Sequence, residues 1–103
     1  MKIEWTEPAE DDLGQIFDYI AKDSAYYAEH FIDRIISRTG KLHDFPEMGR
    51  QVPEAEGENL NIRELIIQGY RVIYVHYPNL IQILAVIHGS RDLQNTANQP
   101  WEG

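Results

Sequence analysis

The strongest constraint on the fold is a series of three apolar segments in the second half of the chain, separated by gaps of only two residues. The segments are NIRELII (61–67), YRVIYVHY (70–77) and LIQILAVIH (80–88), and the gaps are Gln68-Gly69 and Pro78-Asn79. Each segment is rich in β-branched and aromatic residues, which favour strands. Two-residue connections are typical of β-hairpins, whereas parallel strands need a crossover of about a dozen residues or more. The sequence therefore predicts a three-stranded antiparallel meander.

The first half of the chain contains two amphipathic patterns with helical spacing, preceded by a strand candidate, KIEW (2–5). Thr6 is in position to cap a first helix, with Pro8 in its first turn, and Ser24 is in position to cap a second. The first stripe consists of Ala9, Leu13, Ile16, Phe17 and Ile20, and the second of Ala28, Phe31, Ile32, Ile35, Ile36, Thr39 and Leu42. Because only a few residues separate the stripes, we expect an antiparallel helix hairpin.

Together these patterns predict an α+β fold: a strand, an antiparallel helix hairpin and then the three-stranded antiparallel meander. We expect a small single domain over residues 1–93, followed by a polar and frayed C-terminal tail at 94–103 in which Trp101 can dock. The connector QVPEAEGENLN (51–61) is polar and contains proline and glycine, so we expect a mobile loop there.

The last apolar segment alternates between two sets of side chains. One set is uniformly apolar and is expected to pack on the helices. Its members are Ile81, Ile83, Ala85 and Ile87. The other set is mixed, carries His88 and is expected to face away. Helices on one side of a four-stranded sheet would leave Leu84 and Val86 of this second set incompletely covered, and exposed apolar surface usually marks a protein partner.

The charge balance limits the classes of partner. Nine basic residues stand against seventeen acidic ones, which gives a formal net charge of −8. Phosphate-binding surfaces use clustered lysine and arginine, so direct, specific binding of nucleic acid is not expected. The chain has no cysteine, no apolar run of membrane-spanning length and no start that resembles a signal peptide. We therefore expect a cytoplasmic protein without a membrane partner.

Four basic residues near the predicted strand ends form the main candidate site. They are Arg63, Arg71, His88 and Arg91. Because strand directions alternate, the start of the second strand and the end of the third share one edge, so Arg71, His88 and Arg91 are expected to converge. In one interpretation the guanidinium groups hold a phosphate while His88 transfers a proton. In the other, these are structural residues paired with Glu64, Asp92 or the carbonyls of turns.

Other candidate chemistry is weaker. Ser90 follows His88 by two residues, but no nucleophile elbow accompanies it. The tyrosines around the helix hairpin, Tyr19, Tyr26 and Tyr27, are more typical of packing residues than of base-stacking platforms. The histidines show no metal-ligand spacing, so we predict neither a metal nor a cofactor. These histidines are His30, His43, His76 and His88.

Four segments, taken in order, resemble the RelE/ParE toxin superfamily. The start, from Trp5-Thr6 to Asp23, is similar to the opening of its members, and FPEMGRQVPE to their Phe-Pro…Gly-Arg…Val-Pro connector. RELIIQGYRVIYVHY resembles their central strands, and VIHGSRDL their closing Val-x-His-Gly-x-Arg-Asp. The resemblance covers about residues 2–93. It implies the same order of elements, and it implies the toxin half of a type II toxin–antitoxin pair that a cognate antitoxin holds inactive in a hetero-oligomer.

The superfamily contains members with two different activities. RelE-like members cleave messenger RNA on the ribosome, and this resemblance makes the catalytic candidates Arg63, Glu64, Arg71, His88 and Arg91. ParE-like members bind and poison DNA gyrase. The net charge of −8, the three glutamates in the connector and the HGSRD ending favour the ParE-like branch. We therefore predict a gyrase-binding toxin, with a ribosome-dependent endoribonuclease or a degenerate member without toxicity as the alternatives.

For a gyrase-binding toxin, the predicted partner-binding residues lie at the strand exit, on the uncovered sheet face and in the tail. They are Arg71, Leu84, Val86, His88, Arg91 and Trp101. Arginine and tryptophan are among the residue types most often found as interface hot spots, which is why the strand exit and the tail are the leading candidates for the gyrase contact.

Overall fold

The computed structural model describes residues 1–91, 93–94 and 98–102, and it confirms the predicted α+β fold. The helices and strands are, in chain order, β1 (Lys2–Trp5), α1 (Glu7–Ala21), α2 (Ala25–Gly40), β2 (Arg50–Gln51), β3 (Ile62–Ile67), β4 (Tyr70–Tyr77) and β5 (Leu80–His88). Short 3-10 helices occupy Lys41–His43, Pro53–Ala55 and Pro100–Glu102. One sheet runs in the order β1-β5-β4-β3-β2, in which β1 is parallel to β5 and the other pairs are antiparallel.

Both helices begin at the predicted caps. The Thr6 hydroxyl accepts a hydrogen bond from the Ala9 N–H at 3.3 Å and donates one to the Ile83 carbonyl at 2.9 Å. The Ser24 hydroxyl accepts from the Tyr27 N–H at 3.2 Å. Thr6 therefore starts α1 and also fastens that start to β5. Within the described residues, neither helix has the length and hydrophobicity of a membrane span.

The turn between β3 and β4 explains why the meander forms. Gln68 and Gly69 both adopt positive φ, 49° and 85°, as the two central residues of a type I′ turn do. The twist of such a turn matches the twist of the flanking strands, and the register of β3 on β4 then pairs Ile67 with Tyr70 and Arg63 with Tyr74. The predicted two-residue hairpin is confirmed.

A β-bulge in β5 overturns the predicted assignment of its faces. Ile73 pairs with Ala85 and Tyr74 with Ile83, so Leu84 is an extra residue opposite the Ile73/Tyr74 step. An inserted residue shifts the alternation by one, so every later side chain changes face. The sheet face that contacts the helices, here the helix face, therefore carries Ile81, Ile83 and Val86, while Ala85 and Ile87 lie on the opposite, outer face.

The connector after β2 covers the outer face instead of forming the predicted mobile loop. Val52 and Ala55 are buried and pack in one cluster with Ile62, Ile73 and Val75. The sheet has five strands because Arg50 and Gln51 pair with Glu64 and Arg63. The prediction was wrong because the glutamates of the connector gave it a polar composition, whereas Val52 and Ala55 point to the sheet.

Candidate functional site

Arg71 lies on the outer face inside a network of ion pairs. Its Nε donates to Glu64 Oε1 at 2.5 Å, and its two terminal nitrogens donate to the two oxygens of Glu54 at 2.9 and 2.7 Å. Glu64 completes the network by accepting from Arg50 Nε at 2.7 Å. The side chains of Glu64 and Arg71 are 0% and 6% exposed, whereas that of Arg50 is 62% exposed. Arg71 therefore uses all three of its nitrogens within the protein.

The electrostatics of this network follow from its geometry. Hydrogen bonds from Arg71 hold the pKa of the Glu54 carboxyl below its usual range. The bidentate contact with Glu54 in turn raises the pKa of the Arg71 guanidinium above its ordinary value. A buried charge is costly unless it is paired and hydrogen-bonded, and here two arginines meet two glutamates. The network fastens the connector to the sheet, since Glu54 belongs to the 3-10 helix Pro53–Ala55.

Arg63 lies on the opposite face of the sheet, because it pairs with Tyr74, which belongs to the helix-face core. Its Nε donates to Asn61 Oδ1 at 3.0 Å, and one terminal nitrogen donates to the carbonyls of Gly49 at 2.9 Å and Glu47 at 3.3 Å. Arg63 therefore holds the loop before β2. In the structural interpretation, the strand arginines were expected to pair with Glu64 or with the carbonyls of turns. Arg71 pairs with Glu64, and Arg63 pairs with the carbonyls of the loop.

Tyr74 holds the same loop from below, a role that was not predicted from the sequence. Its hydroxyl donates to the Pro46 carbonyl at 2.9 Å and accepts from the Gly49 N–H at 3.0 Å, and burial raises its pKa. A Cβ on Gly49 would lie 2.6 Å from the Glu64 carbonyl oxygen and 2.7 Å from the tyrosine hydroxyl. The available signal was a tyrosine in the middle of an apolar strand, together with a glycine in the FPEMGR turn.

His88 and Arg91 are exposed at the exit of β5. The His88 ring packs edge-on against Tyr70, with centroids 5.4 Å apart. Its Nδ1 lies 3.2 Å from the Ser90 N–H, which can only donate, so Nδ1 accepts and the neutral ring carries its proton on Nε2. Ser90 Oγ is 2.6 Å from the same nitrogen. Arg91 lies near Asp12: burial raises the pKa of Asp12, while the Val86 N–H bond and the charge of Arg91 oppose that rise.

The four basic residues do not form one pocket. Tyr70 pairs with His88 on the helix face, so Arg71, the next residue along β4, points to the outer face. The predicted convergence of Arg71 with His88 is therefore wrong, because neighbouring positions of a strand alternate between faces. His88 and Arg91 lie in one turn at the strand exit, where the Arg91 N–H donates to the His88 carbonyl at 3.0 Å, and these two residues are called the exit pair below. Asp92, the other predicted partner, lies outside the described residues.

The remaining predicted partner-binding residues differ in accessibility. Val86 is 2% exposed and belongs to the helix-face core, so the prediction of an uncovered face around it is wrong. The cause is the bulge at Leu84, which turned Val86 inward and left Leu84 partly buried. Trp101 is partly buried, packs on the outer-face cluster and donates from Nε1 to Glu58 Oε1 at 3.0 Å.

The exposed apolar surface lies instead on the helix hairpin. Tyr19, Tyr26 and Tyr27 are 68%, 64% and 67% exposed, so the prediction that they are packing residues is wrong. A groove of about 510 Å³ at this end of the molecule is lined by Tyr26 and Tyr27 and also by two basic residues, His30 and Arg34. The four residues Tyr26, Tyr27, His30 and Arg34 are called the hairpin surface below. A surface of this kind, aromatic and cationic, is typical of a protein-binding site.

Comparison with known proteins agrees with the fold and with the motifs. The family model for the ParE toxin of type II toxin–antitoxin systems, parDE, matches residues 3–93. Among solved structures, the chain is similar to one described as "Chromosomal ParDE TA system from P. aeruginosa", with 23% identity and a TM-score of 0.70. That match covers 85% of this chain and 95% of the other, and at this identity it shows a shared fold. No curated protein sequence matches the chain.

Proposed function

The chain belongs to the ParE toxin family of type II toxin–antitoxin systems, and we propose that it acts in the cytoplasm by binding DNA gyrase, without chemistry of its own, and that a cognate antitoxin neutralises it. Fold alone does not assign an activity, so the proposal depends on what the candidate site is able to do. An acidic toxin suits this mode of action, because its partner is a polypeptide and not bare nucleic acid.

The observation that carries the proposal is the engagement of the two strand arginines. RNA cleavage needs cations that are free to stabilise a phosphate in the transition state and a base that is free to take a proton. Arg71 is bound by two glutamates, and Arg63 is turned to the other face and bound to backbone carbonyls. Glu64 is fully buried between Arg50 and Arg71. This arrangement supports a binding protein over a nuclease.

One observation favours the alternative function, a ribonuclease: His88 and Arg91 are both exposed at the exit of β5. In that case His88→Ala removes a general acid and lowers RNA cleavage by about 10²–10⁴-fold without unfolding the protein. A third alternative is a degenerate member of the family, which would bind the antitoxin and have no toxicity.

For the antitoxin, we propose the hairpin surface as the main docking site. The exposed tyrosines supply apolar area, and Arg34 with His30 favours an amphipathic segment that carries acidic residues. The complex would be a toxin–antitoxin hetero-oligomer. Co-expression with the neighbouring gene product and co-purification tests it: Tyr26→Ser with Tyr27→Ser should release the antitoxin, and retention of a stable complex would contradict this assignment.

For gyrase, we propose contacts from the exit pair and from Trp101 in the tail. His88 and Arg91 are the exposed members of the predicted set, and Trp101 and Leu84 are partly buried, whereas the outer-face network sequesters Arg71 and the core buries Val86. The test is a supercoiling and DNA-cleavage assay with purified gyrase, run beside cell-free translation of a reporter message. Inhibition of supercoiling with intact message supports the proposal. Unchanged supercoiling with ribosome-dependent cleavage of the message would overturn it in favour of the nuclease.

A further inference from the structure

The loop Phe45–Gly49, called the FPEMG loop below, presents two large apolar side chains to solvent. Phe45 is 63% exposed and Met48 is 41% exposed, although they lie only three positions apart. With Pro46, Glu47 and His76 they line a shallow hollow at the edge of the sheet. Aromatic residues and methionine are enriched at the buried centres of protein interfaces, whereas the part of an apolar side chain that stays in water contributes nothing to folding.

The backbone of the FPEMG loop is held by Tyr74, which is buried beneath it, and by Arg63, which is partly buried. The Tyr74 hydroxyl bonds both the Pro46 carbonyl and the Gly49 N–H, and Arg63 bonds the carbonyls of Glu47 and Gly49. The absence of a side chain on Gly49 allows this close approach. A loop fixed in this way loses little conformational entropy on binding, which is how preorganisation raises affinity. The residue that looked like a phosphate ligand, Arg63, thus positions a surface.

The charges around the FPEMG loop have the opposite sign to those of the hairpin surface. Asp44 precedes the loop and Glu47 lies within it. Their side chains are 75% and 66% exposed, and they lie 4.0 Å from His43 and 3.9 Å from His76. His30 and Arg34 lie at the other end of β4, near Tyr70. The six steps from Tyr70 to His76 span roughly 20 Å of extended strand, so the two surfaces are separate. The FPEMG loop therefore suits a partner with apolar pockets in a basic surrounding.

We propose that the FPEMG loop is a second docking surface for the target of this toxin, separate from the exit pair and from the antitoxin site. The occupant is a cationic surface of a DNA-cutting protein, because such a protein neutralises phosphates with lysine and arginine. Phe45 and Met48 act as the apolar anchors, and Glu47 and Asp44 act at the rim, where charges set the association rate and its salt dependence. The identity of the occupant rests on the proposed function.

The test compares Phe45→Ser/Met48→Ser with the matched control Ile36→Ser, which removes another exposed apolar side chain, 49% exposed on α2. Unchanged circular dichroism and melting temperature establish that both variants fold. We expect the double variant to need at least ~10-fold more protein for half-inhibition of gyrase supercoiling, while it still co-purifies with the antitoxin. The control should inhibit like the wild type. Wild-type inhibition by the double variant would overturn the proposal, and so would loss of antitoxin binding.

A charge reversal tests the rim independently of folding. Glu47→Lys should weaken inhibition by a few-fold and reduce its dependence on salt, whereas Glu10→Lys, an exposed reversal on α1, should leave both unchanged. Equal effects of the two reversals would indicate only long-range attraction and would overturn the assignment of the FPEMG loop.

A growth assay separates this proposal from the gyrase assignment. If the wild type leaves gyrase unaffected but arrests growth, the gyrase assignment fails, and the loop proposal is then judged by toxicity. Loss of growth arrest in the Phe45→Ser/Met48→Ser variant supports the loop as the surface for another target, and full toxicity of that variant overturns it. A wild type that neither inhibits gyrase nor arrests growth would overturn both.

Discussion

Arg71 and Arg91 belong to two regions that look alike in the sequence and differ in the structure. Arg71 lies at the start of an apolar strand and Arg91 lies just after the end of another. Both are close to a turn and to carboxylates. Arg71 is enclosed on the outer face, with all three nitrogens bound to Glu54 and Glu64. Arg91 is exposed beside His88. The comparison teaches that partners and burial, more than residue type or position, decide whether an arginine holds the fold or remains available for another protein.

The largest expected effect comes from breaking the enclosed region. Arg71→Met leaves Glu64 and Glu54 without their central cation, and removal of one partner from a buried ion pair costs about 3–5 kcal/mol. For a domain of this size, each kcal/mol lowers the melting temperature by roughly 4–8 °C. Arg50→Met is the matched control, because this partly exposed partner of Glu64 should cost no more than about 1 kcal/mol. Urea unfolding measures both, and similar values for the two variants would contradict the difference between buried and exposed arginines.

A smaller loss is expected beneath the FPEMG loop. Tyr74→Phe deletes a buried hydroxyl that donates to Pro46 and accepts from Gly49, leaving an unsatisfied buried N–H. That penalty is about 1–3 kcal/mol in the free energy of unfolding. Tyr77→Phe, in a more exposed position on the same strand, serves as the control. Hydrogen exchange of the Gly49 amide should also become faster in the Tyr74 variant. An unchanged rate would mean that the hydroxyl does not hold the loop.

The pH dependence of stability sharpens the comparison further. The pKa of Glu54 lies below its ordinary value of 4.5 because Arg71 donates to it. Its ion pair therefore contributes stability that is complete above about pH 4.5 and is lost as the pH falls through the lower, folded-state pKa. Glu54→Gln should cost about 1–2 kcal/mol at pH 7 and reduce the loss of stability on acidification.

Asp12 is the control for this titration, because its pKa shifts in the other direction. Burial raises the pKa of Asp12, so its protonation stabilises the folded state as the pH falls. Asp12→Asn should make the loss of stability on acidification steeper, whereas Glu54→Gln should make it shallower. Unfolding curves measured between neutral pH and the range below pH 4.5 decide the sign, and the same slope in both variants would contradict the two assigned shifts.

The smallest effect on stability is expected in the open region. Arg91→Ala should change the free energy of unfolding by no more than about 0.5 kcal/mol, as exposed substitutions do. Its effect should appear in function, as weaker inhibition of gyrase with antitoxin binding unchanged. The informative measurement therefore compares, for Arg71→Met and for Arg91→Ala, the decrease in the free energy of unfolding with the decrease in gyrase inhibition. If Arg91→Ala destabilises the protein, Arg91 holds the fold as Arg71 does, and the comparison fails.

The order of elements, the two caps and the β3–β4 turn were predictable, because each depends on local sequence: helical spacing, Thr6 and Ser24, and a two-residue gap ending in glycine. The bulge at Leu84 was not, because residues 83–87 are an unbroken apolar run around the insertion, and the alternation of residues there carries no mark of the shift. Because the bulge was missed, Val86 and His88 were predicted to lie on the wrong face of the sheet. The family was likewise visible in the sequence, since its motifs are continuous segments.

The candidate site was less predictable for a physical reason. Arg71 and Glu54 lie seventeen positions apart and meet only because the connector folds onto the outer face. Charge counting favoured a mobile connector, whereas the burial of Val52 and Ala55 decided the outcome. The exposure of Tyr26 and Tyr27 depends on which side of α2 meets the sheet, and helical spacing locates that side only within a wide stripe.

The parallel pairing of β1 with β5 has a consequence for the synthesis of this toxin. Lys2–Trp5 pairs with residues 80–83, so the first strand to be made finds its neighbour only after most of the chain has left the ribosome. Translation proceeds at about 5–20 residues per second, and pairings between distant segments form late and slowly. The α1–α2 hairpin, in contrast, consists of neighbouring segments and is made early. A nascent chain therefore exposes its hairpin before its sheet is complete, and it matures only at the end of translation.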